Sequence, residues 1–129
     1  MKRFAYTIAM LALILLSGCK GETGKIHSAV EDFLDETVAD GCHYDIDKYE
    51  FWDSTYSVSV DAVAANKEYA DQVTYFKKGI KYHPYKSGDK LYFVGVHYKL
   101  KKENSEPKDC KQTFYLDKDL EGVVCVKDN

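Results

Sequence analysis

Hydrophobic positions follow two regimes along this chain: a mostly apolar run near its start, and periodic patterns after it. The run covers Phe4–Leu16, 13 residues, and follows the basic pair Lys2 and Arg3. A helix that crosses a bilayer needs about 20 apolar residues, whereas the apolar core of a secretory signal peptide has about 7–15. We therefore predict that this segment directs export and is then removed.

Two later stretches repeat apolar residues at helical spacing. From Ile26 to Val38 the apolar residues share one face and acidic residues fill the other, which predicts a helix over about 25–39. Gly41 supplies its end. In the second stretch Asp61 is expected to cap a helix over about 62–78 that Gly79 ends. Its expected buried stripe is Ala62, Ala65, Tyr69, Val73 and Phe76.

Four stretches alternate in the manner of strands, over about 43–53, 90–101, 111–116 and 123–127. The alternation of the first changes parity after Ile46, which predicts a bulge near Lys48. The second is apolar or aromatic on both faces, as is typical of a central strand. The order of helix, strand, helix and three-strand meander predicts an α+β fold, with two helices packed on one face of an antiparallel sheet of about four strands.

Charge and aromatic content narrow the classes of partner. Loss of residues 1–18 removes two basic residues and no acid, leaving 16 basic and 21 acidic side chains and a net charge of −5. A nucleic-acid partner, which needs a basic surface, is therefore not expected. Ten tyrosines remain. They suit half-buried strands more than a binding surface, although both uses are common.

Three cysteines, Cys42, Cys110 and Cys125, follow the predicted signal peptide and Cys19. Disulfides persist outside the cytoplasm, so we expect one bond among these three. Strand directions place all three at one edge of the predicted sheet, with a weak preference for Cys42–Cys110. A metal site that adds His43 and His97 is the alternative. The spacing matches no zinc pattern, so we expect no metal or cofactor.

Two further patterns could carry chemistry. Carboxylates after the third strand follow the spacing of a calcium loop, but a strand occupies its second half, so a hairpin turn is favoured: the residues are Asp117, Asp119, Glu121, Gly122 and Asp128. His97 on the central strand could act as a base, with Asp45 or Asp47 orienting it. No nucleophile motif is present. A binding module, which is not an enzyme, is the main expectation.

The four residues that end the apolar run resemble a known processing signal. Leu16-Ser17-Gly18-Cys19 is similar to the lipobox of bacterial lipoproteins. In that family the cysteine carries a diacylglycerol thioether and becomes the mature N-terminus. The resemblance implies a signal peptide over 1–18, a lipidated tether over 19–24 and one domain over 25–129. It also implies a lipid anchor on Cys19 in the cell envelope. Lys20 favours the outer membrane if the host is Gram-negative, and a Gram-positive host is the alternative.

The C-terminal third carries a second resemblance. The stretches 93–104 and 114–119 are similar to small uncharacterised lipoproteins of Bacteroidetes, a group with no assigned chemistry. The element order is also similar to that of the cystatin-like and nuclear-transport-factor-2-like group. This implies an alternative function, a small enzyme with a His/Asp pocket. The expected partners of a binding module are instead a protein, a peptide or a glycan.

Overall fold

The structure, a computed structural model, describes residues 21–73 and 75–129. Helix α1 covers residues 21–37, and helix α2 covers Val60–Ala70. The strands are β1 Cys42–Thr55, β2 Leu91–Lys102, β3 Lys108–Leu116 and β4 Val123–Asp128. They form one open sheet in the order β1-β2-β3-β4, and every neighbouring pair is antiparallel. The predicted α+β class and four-stranded sheet are confirmed. The signal peptide and Cys19 lie outside the described residues.

Helix α1 covers one face of the sheet and forms the main core with it. Its buried residues follow the predicted stripe: Ile26, Ala29, Val30, Phe33, Leu34 and Val38. They meet alternate residues of β2 and β3, of which Phe114 is fully buried. The Phe114 ring lies 5.9 Å from that of Phe33 and 6.2 Å from that of Tyr98, both edge-on. The helix also includes residues 21–24, the part of the chain that we assigned to a tether.

Aromatic side chains of β1 hold this strand to α1 along its length. The Tyr44 hydroxyl donates to Asp35 at 2.5 Å, and the Tyr49 hydroxyl donates to Glu31 at 3.1 Å. Further along, Trp52 Nε1 donates to Thr23 Oγ1 at 3.1 Å. The residue numbers of the partners decrease along α1 as those along β1 increase. Helix α1 and β1 therefore run antiparallel, and the end of α1 near Thr23 lies beside the end of β1 near Thr55.

Two bulges set the side-chain parity of β1. The register with β2 passes from Ile46 to Lys48, so Asp47 has no partner, and the predicted bulge near Lys48 is confirmed. A second register shift lies between Tyr49 and Trp52, where two residues oppose one residue of β2. This one was not predicted. Together the two bulges return Trp52 to the face that packs on α1.

Helix α2 is shorter than predicted, and its buried face is different. It spans Val60–Ala70 with Ser59, not Asp61, as its N-cap: the Ser59 hydroxyl accepts from the Ala62 amide at 3.1 Å. Val63 and Ala70 are buried, whereas Ala62, Ala65 and Tyr69 of the expected stripe are exposed. Val63 packs in a small cluster with Leu91, Val124 and Cys125, and the helix lies against β4.

The chain after Ala70 leaves the helix because the C-terminal end of α1 binds it. The Lys77 amide donates to the Thr37 carbonyl at 2.7 Å, and the Ala39 amide donates to the Tyr75 carbonyl at 2.8 Å. A helix leaves its last four carbonyl groups without intrahelical partners, so pairing with an extended segment satisfies some of them. Phe76 is buried in the main core, as predicted, but it reaches the core from this bridge with Val38.

The structure contains Cys42, Cys110 and Cys125 as free thiols, so the predicted disulfide is not formed in it. Cys42 opposes Lys102 of β2, and Cys110 opposes Tyr98, four residues away on the same strand. Two strand spacings and four residues separate the pair, about 17 Å, whereas a disulfide needs Cα atoms within about 7 Å. Cys125 opposes Tyr115, five residues beyond Cys110 on β3. The strand starts and ends share an edge, as expected, but the stagger keeps the sulfurs apart.

We expect three free thiols when the denatured, unreduced mature protein is titrated with a thiol reagent. In the folded protein at neutral pH only Cys42 should react quickly, because it is half-buried while the other two are buried. Burial also raises the pKa of the Cys110 thiol, and raises that of Cys125 to about 11, so both stay protonated. Cys42→Ser should remove the fast reaction. A single thiol in the denatured protein would instead show that a disulfide exists.

Candidate functional site

The sheet face opposite α1 is the first candidate surface. Leu91 and Cys125 at one end of it pack against Val63 of α2, and we call the part that this cluster leaves uncovered the open face. Alternation along the central strands places on it Phe93, Gly95, His97 and Lys99 of β2, and Lys111, Thr113 and Tyr115 of β3. In the register Lys48 of β1 and Lys111 flank His97 on either side. The rings of Phe93 and Tyr115 lie next to each other, 6.4 Å between centroids. The open face thus combines an aromatic pair with a charged row.

His97 contacts a carboxylate on this face, but the carboxylate belongs to a residue that we did not predict. Its Nε2 contacts the Glu50 carboxylate. Asp45 opposes Lys99, and Asp47 lies unpaired in the first bulge, so neither of the expected orienting residues is the partner. Glu50 belongs to the second bulge, where the register shift lets its side chain lie over the neighbouring strand.

Gly95 makes the room that the Glu50 side chain uses. A Cβ atom at position 95 would lie 3.1 Å from the Cβ of Glu50, closer than ordinary van der Waals contact. A larger residue would therefore push the carboxylate away from His97. Packing therefore explains the glycine at position 95, without any unusual backbone angle. The missing side chain lets Glu50 of the bulge contact His97.

Phe51 follows Glu50 in the bulge and is the most exposed large apolar residue described, at 75 %. It lies at the edge of the sheet because β1 is an outer strand. Phe51 lies within the strand that we predicted over about 43–53. Its exposure follows from the second bulge, which was not predicted. An exposed aromatic side chain beside charged groups is typical of a binding surface.

A second candidate is a cleft of about 400 Å³ beside the turn between β3 and β4. Residues of the 83–91 segment and of the turn line it, and His83 Nδ1 lies 3.6 Å from Asp117 Oδ2. The other oxygen of Asp117 accepts from the amides of Glu121 and Gly122, at 2.7 and 3.2 Å. Asp117 therefore stabilises the turn between β3 and β4. This role explains an acidic residue at this position without a bound ligand.

The calcium alternative is contradicted by where its residues lie. Asp128 is at the far end of β4, where its carboxylate accepts from the hydroxyl of Tyr69 at 3.3 Å and from the amide of Gln112 at 3.4 Å. Within residues 21–73 and 75–129, no three His, Cys, Asp or Glu side chains are grouped in a way that could hold a metal ion. The alternative site of Cys42, His43 and His97 is likewise not assembled there. In the same part of the chain, no helix combines the length and apolar character that crossing a bilayer requires.

Comparison with known proteins adds no family to this picture. No protein-family model, curated protein or solved structure matches the chain.

The His97–Glu50 pair could orient an imidazole, as a catalytic base requires. However, it lies on an open face: 23 % of the His97 side chain and 47 % of the Glu50 side chain are exposed. The clefts of about 220–620 Å³ that the described residues form do not include His97. Catalytic groups generally act in concave sites that exclude water.

Proposed function

We propose that the protein is a lipid-anchored lipoprotein of the bacterial cell envelope that binds a partner through its open face, without catalysis. The export signal and the Leu16–Cys19 lipobox support the location, and Lys20 favours the outer membrane. The observation that carries the binding proposal is Phe51, an exposed aromatic residue that follows Glu50 in the second bulge of β1. Such a side chain costs free energy in water and contributes most when a partner covers it.

The chemistry of the open face limits the partner to a few classes. Lys48 and Lys111 offer charge on either side of His97, and Phe93 and Tyr115 offer half-buried aromatic rings, of which Tyr115 also packs against the α2 cluster. A protein, a peptide or a glycan can use both kinds of contact. A nucleic-acid partner is not proposed, because the net charge of the chain is negative.

A small enzyme is the second candidate, and the observation in its favour is the contact between His97 Nε2 and the Glu50 carboxylate. An enzyme would change the mass of a captured molecule during incubation, and His97→Gln would stop that change. A binding module would leave the mass unchanged in both proteins. Mass spectrometry of the captured molecule separates the two candidates.

We expect a photo-reactive phenylalanine analogue at position 51 to give one discrete adduct in the native envelope. The same analogue at Val60, which is 48 % exposed on α2, should not give it. Phe51→Ala should weaken capture of the partner about tenfold or more, since a central aromatic contact contributes on the order of 2 kcal/mol. Adducts of equal yield at both positions, or none at position 51, would contradict the proposed binding face.

A further inference from the structure

The end of the domain nearest Cys19 is fixed by packing from its first described turn. Thr23 accepts the hydrogen bond from Trp52, and Ile26 is fully buried in the core. Since residues 21–24 are part of α1, only two peptide units separate Cys19 from the folded domain. Two such units span at most about 8 Å, whatever their conformation. The flexible tether that we expected over 19–24 is therefore much shorter.

Three aromatic side chains and a lysine lie beside Thr23 at this same end, which we call the anchor end: Trp52, Tyr56, Tyr92 and Lys90. Tyr92 is buried and Trp52 is half-buried, whereas Tyr56 is exposed. The rings of Trp52 and Tyr92 are 5.9 Å apart, and Lys90 Nζ lies 4.7 Å from the centroid of the Tyr92 ring. Tyr56, just past the end of β1, is 67 % exposed. Trp and Tyr with a nearby Lys is the composition found where proteins meet the headgroup layer of a bilayer.

We propose that the anchor end rests on the headgroup layer of the bilayer that holds the Cys19 lipid. This inference rests on the proposed lipidation of Cys19. A lipid chain buried in the bilayer keeps Cys19 at the membrane surface, and a connection of about 8 Å keeps the anchor end within contact distance of that surface. The occupant is a phospholipid surface because the chain that leaves the domain here ends in the lipid.

This contact sets which way the domain faces. The β1 end near Thr55 points towards the membrane, and the end near Cys42 points away from it. The turn between β2 and β3, residues 103–107, also lies at the end away from the membrane, since β2 runs antiparallel to β1. The open face is then roughly perpendicular to the membrane surface, and a partner can reach it from the side.

The chain offers a natural probe, because Trp52 is its single tryptophan. The lipidated protein is reconstituted into phosphatidylcholine vesicles, with and without lipid that carries a nitroxide quencher on its headgroup. We expect the nitroxide lipid to cause a clear loss of Trp52 fluorescence. The matched control moves the tryptophan to the far end by combining Trp52→Phe with Glu106→Trp, and its fluorescence should not change. Replacing Tyr56 with serine and Lys90 with glutamine together should reduce the loss.

The outcomes separate the orientation from the lipid anchor. Equal quenching at both positions would show a domain that lies on its side, and no quenching at Trp52 would show one held away from the bilayer. If the protein still floats with the vesicles, either result overturns the proposed orientation. The proposed lipid anchor on Cys19 is then unaffected. A wild-type protein that neither carries lipid nor floats with vesicles would overturn the proposed anchor, and the orientation with it.

Discussion

Phe114→Ala is expected to lower the free energy of unfolding by about 3–5 kcal/mol, the usual cost of emptying a buried phenylalanine site. Phe114 is fully buried and packs edge-on against Phe33 of α1 and Tyr98 of β2. Its loss would leave a cavity between the helix and the centre of the sheet. Since a small domain is stable by only about 5–15 kcal/mol, the variant should be partly unfolded at moderate denaturant concentrations. Urea titration followed by circular dichroism measures the change.

Phe51→Ala is the matched control, because it makes the same chemical change at a site that is 75 % exposed. Its effect on the free energy of unfolding should stay within about 0.5 kcal/mol. Similar losses from both variants would mean that Phe51 is covered within the folded chain. That result would also remove the main support for the proposed binding face.

Cys19→Ala is expected to abolish incorporation of a fatty-acid analogue. The thiol is the attachment point that the lipobox resemblance assigns, and each buried CH₂ group of an attached chain contributes about 0.8 kcal/mol to membrane binding. Metabolic labelling followed by gel fluorescence measures the incorporation, and mass spectrometry should find Cys19 at the N-terminus of the wild-type protein.

Cys42→Ala provides the control for labelling, since Cys42 is the half-buried thiol of the folded domain. This variant should be labelled as strongly as the wild type. Labelling that survives Cys19→Ala, or that disappears in Cys42→Ala, would contradict the assignment of the anchor to Cys19.

The sequence predicts α1 and the strands well because each buries one face of a regular period. The stripe from Ile26 to Val38 packs on the sheet as expected, and the parity change after Ile46 is a bulge. These features depend on neighbours in sequence and on the side that meets the core. The local pattern alone is enough to predict them.

The second helix and the partner of His97 depend on contacts between distant segments, which a local pattern does not contain. Residues after Ala70 have a helical pattern, but the carbonyl groups at the end of α1 bind the segment around Lys77 and Tyr75. Glu50 reaches His97 only because a second bulge shifts the register and because position 95 lacks a side chain. We expected a carboxylate beside His97, and one is there, but it belongs to Glu50 and not to Asp45 or Asp47.

If Cys19 carries a lipid as proposed, the two bulges of β1 also have a consequence for copies that lie on one membrane. Anchored molecules move in two dimensions at a high effective concentration, where a 14-residue outer strand could recruit the same strand of a neighbour. Unpaired backbone along a sheet edge promotes such aggregation, and bulges and charged residues oppose it. In β1 the bulges interrupt any continuous pairing, and acidic residues at Asp45, Asp47 and Asp53 repel an identical strand. Under the proposed anchoring, the irregular edge would oppose pairing of neighbouring copies through β1.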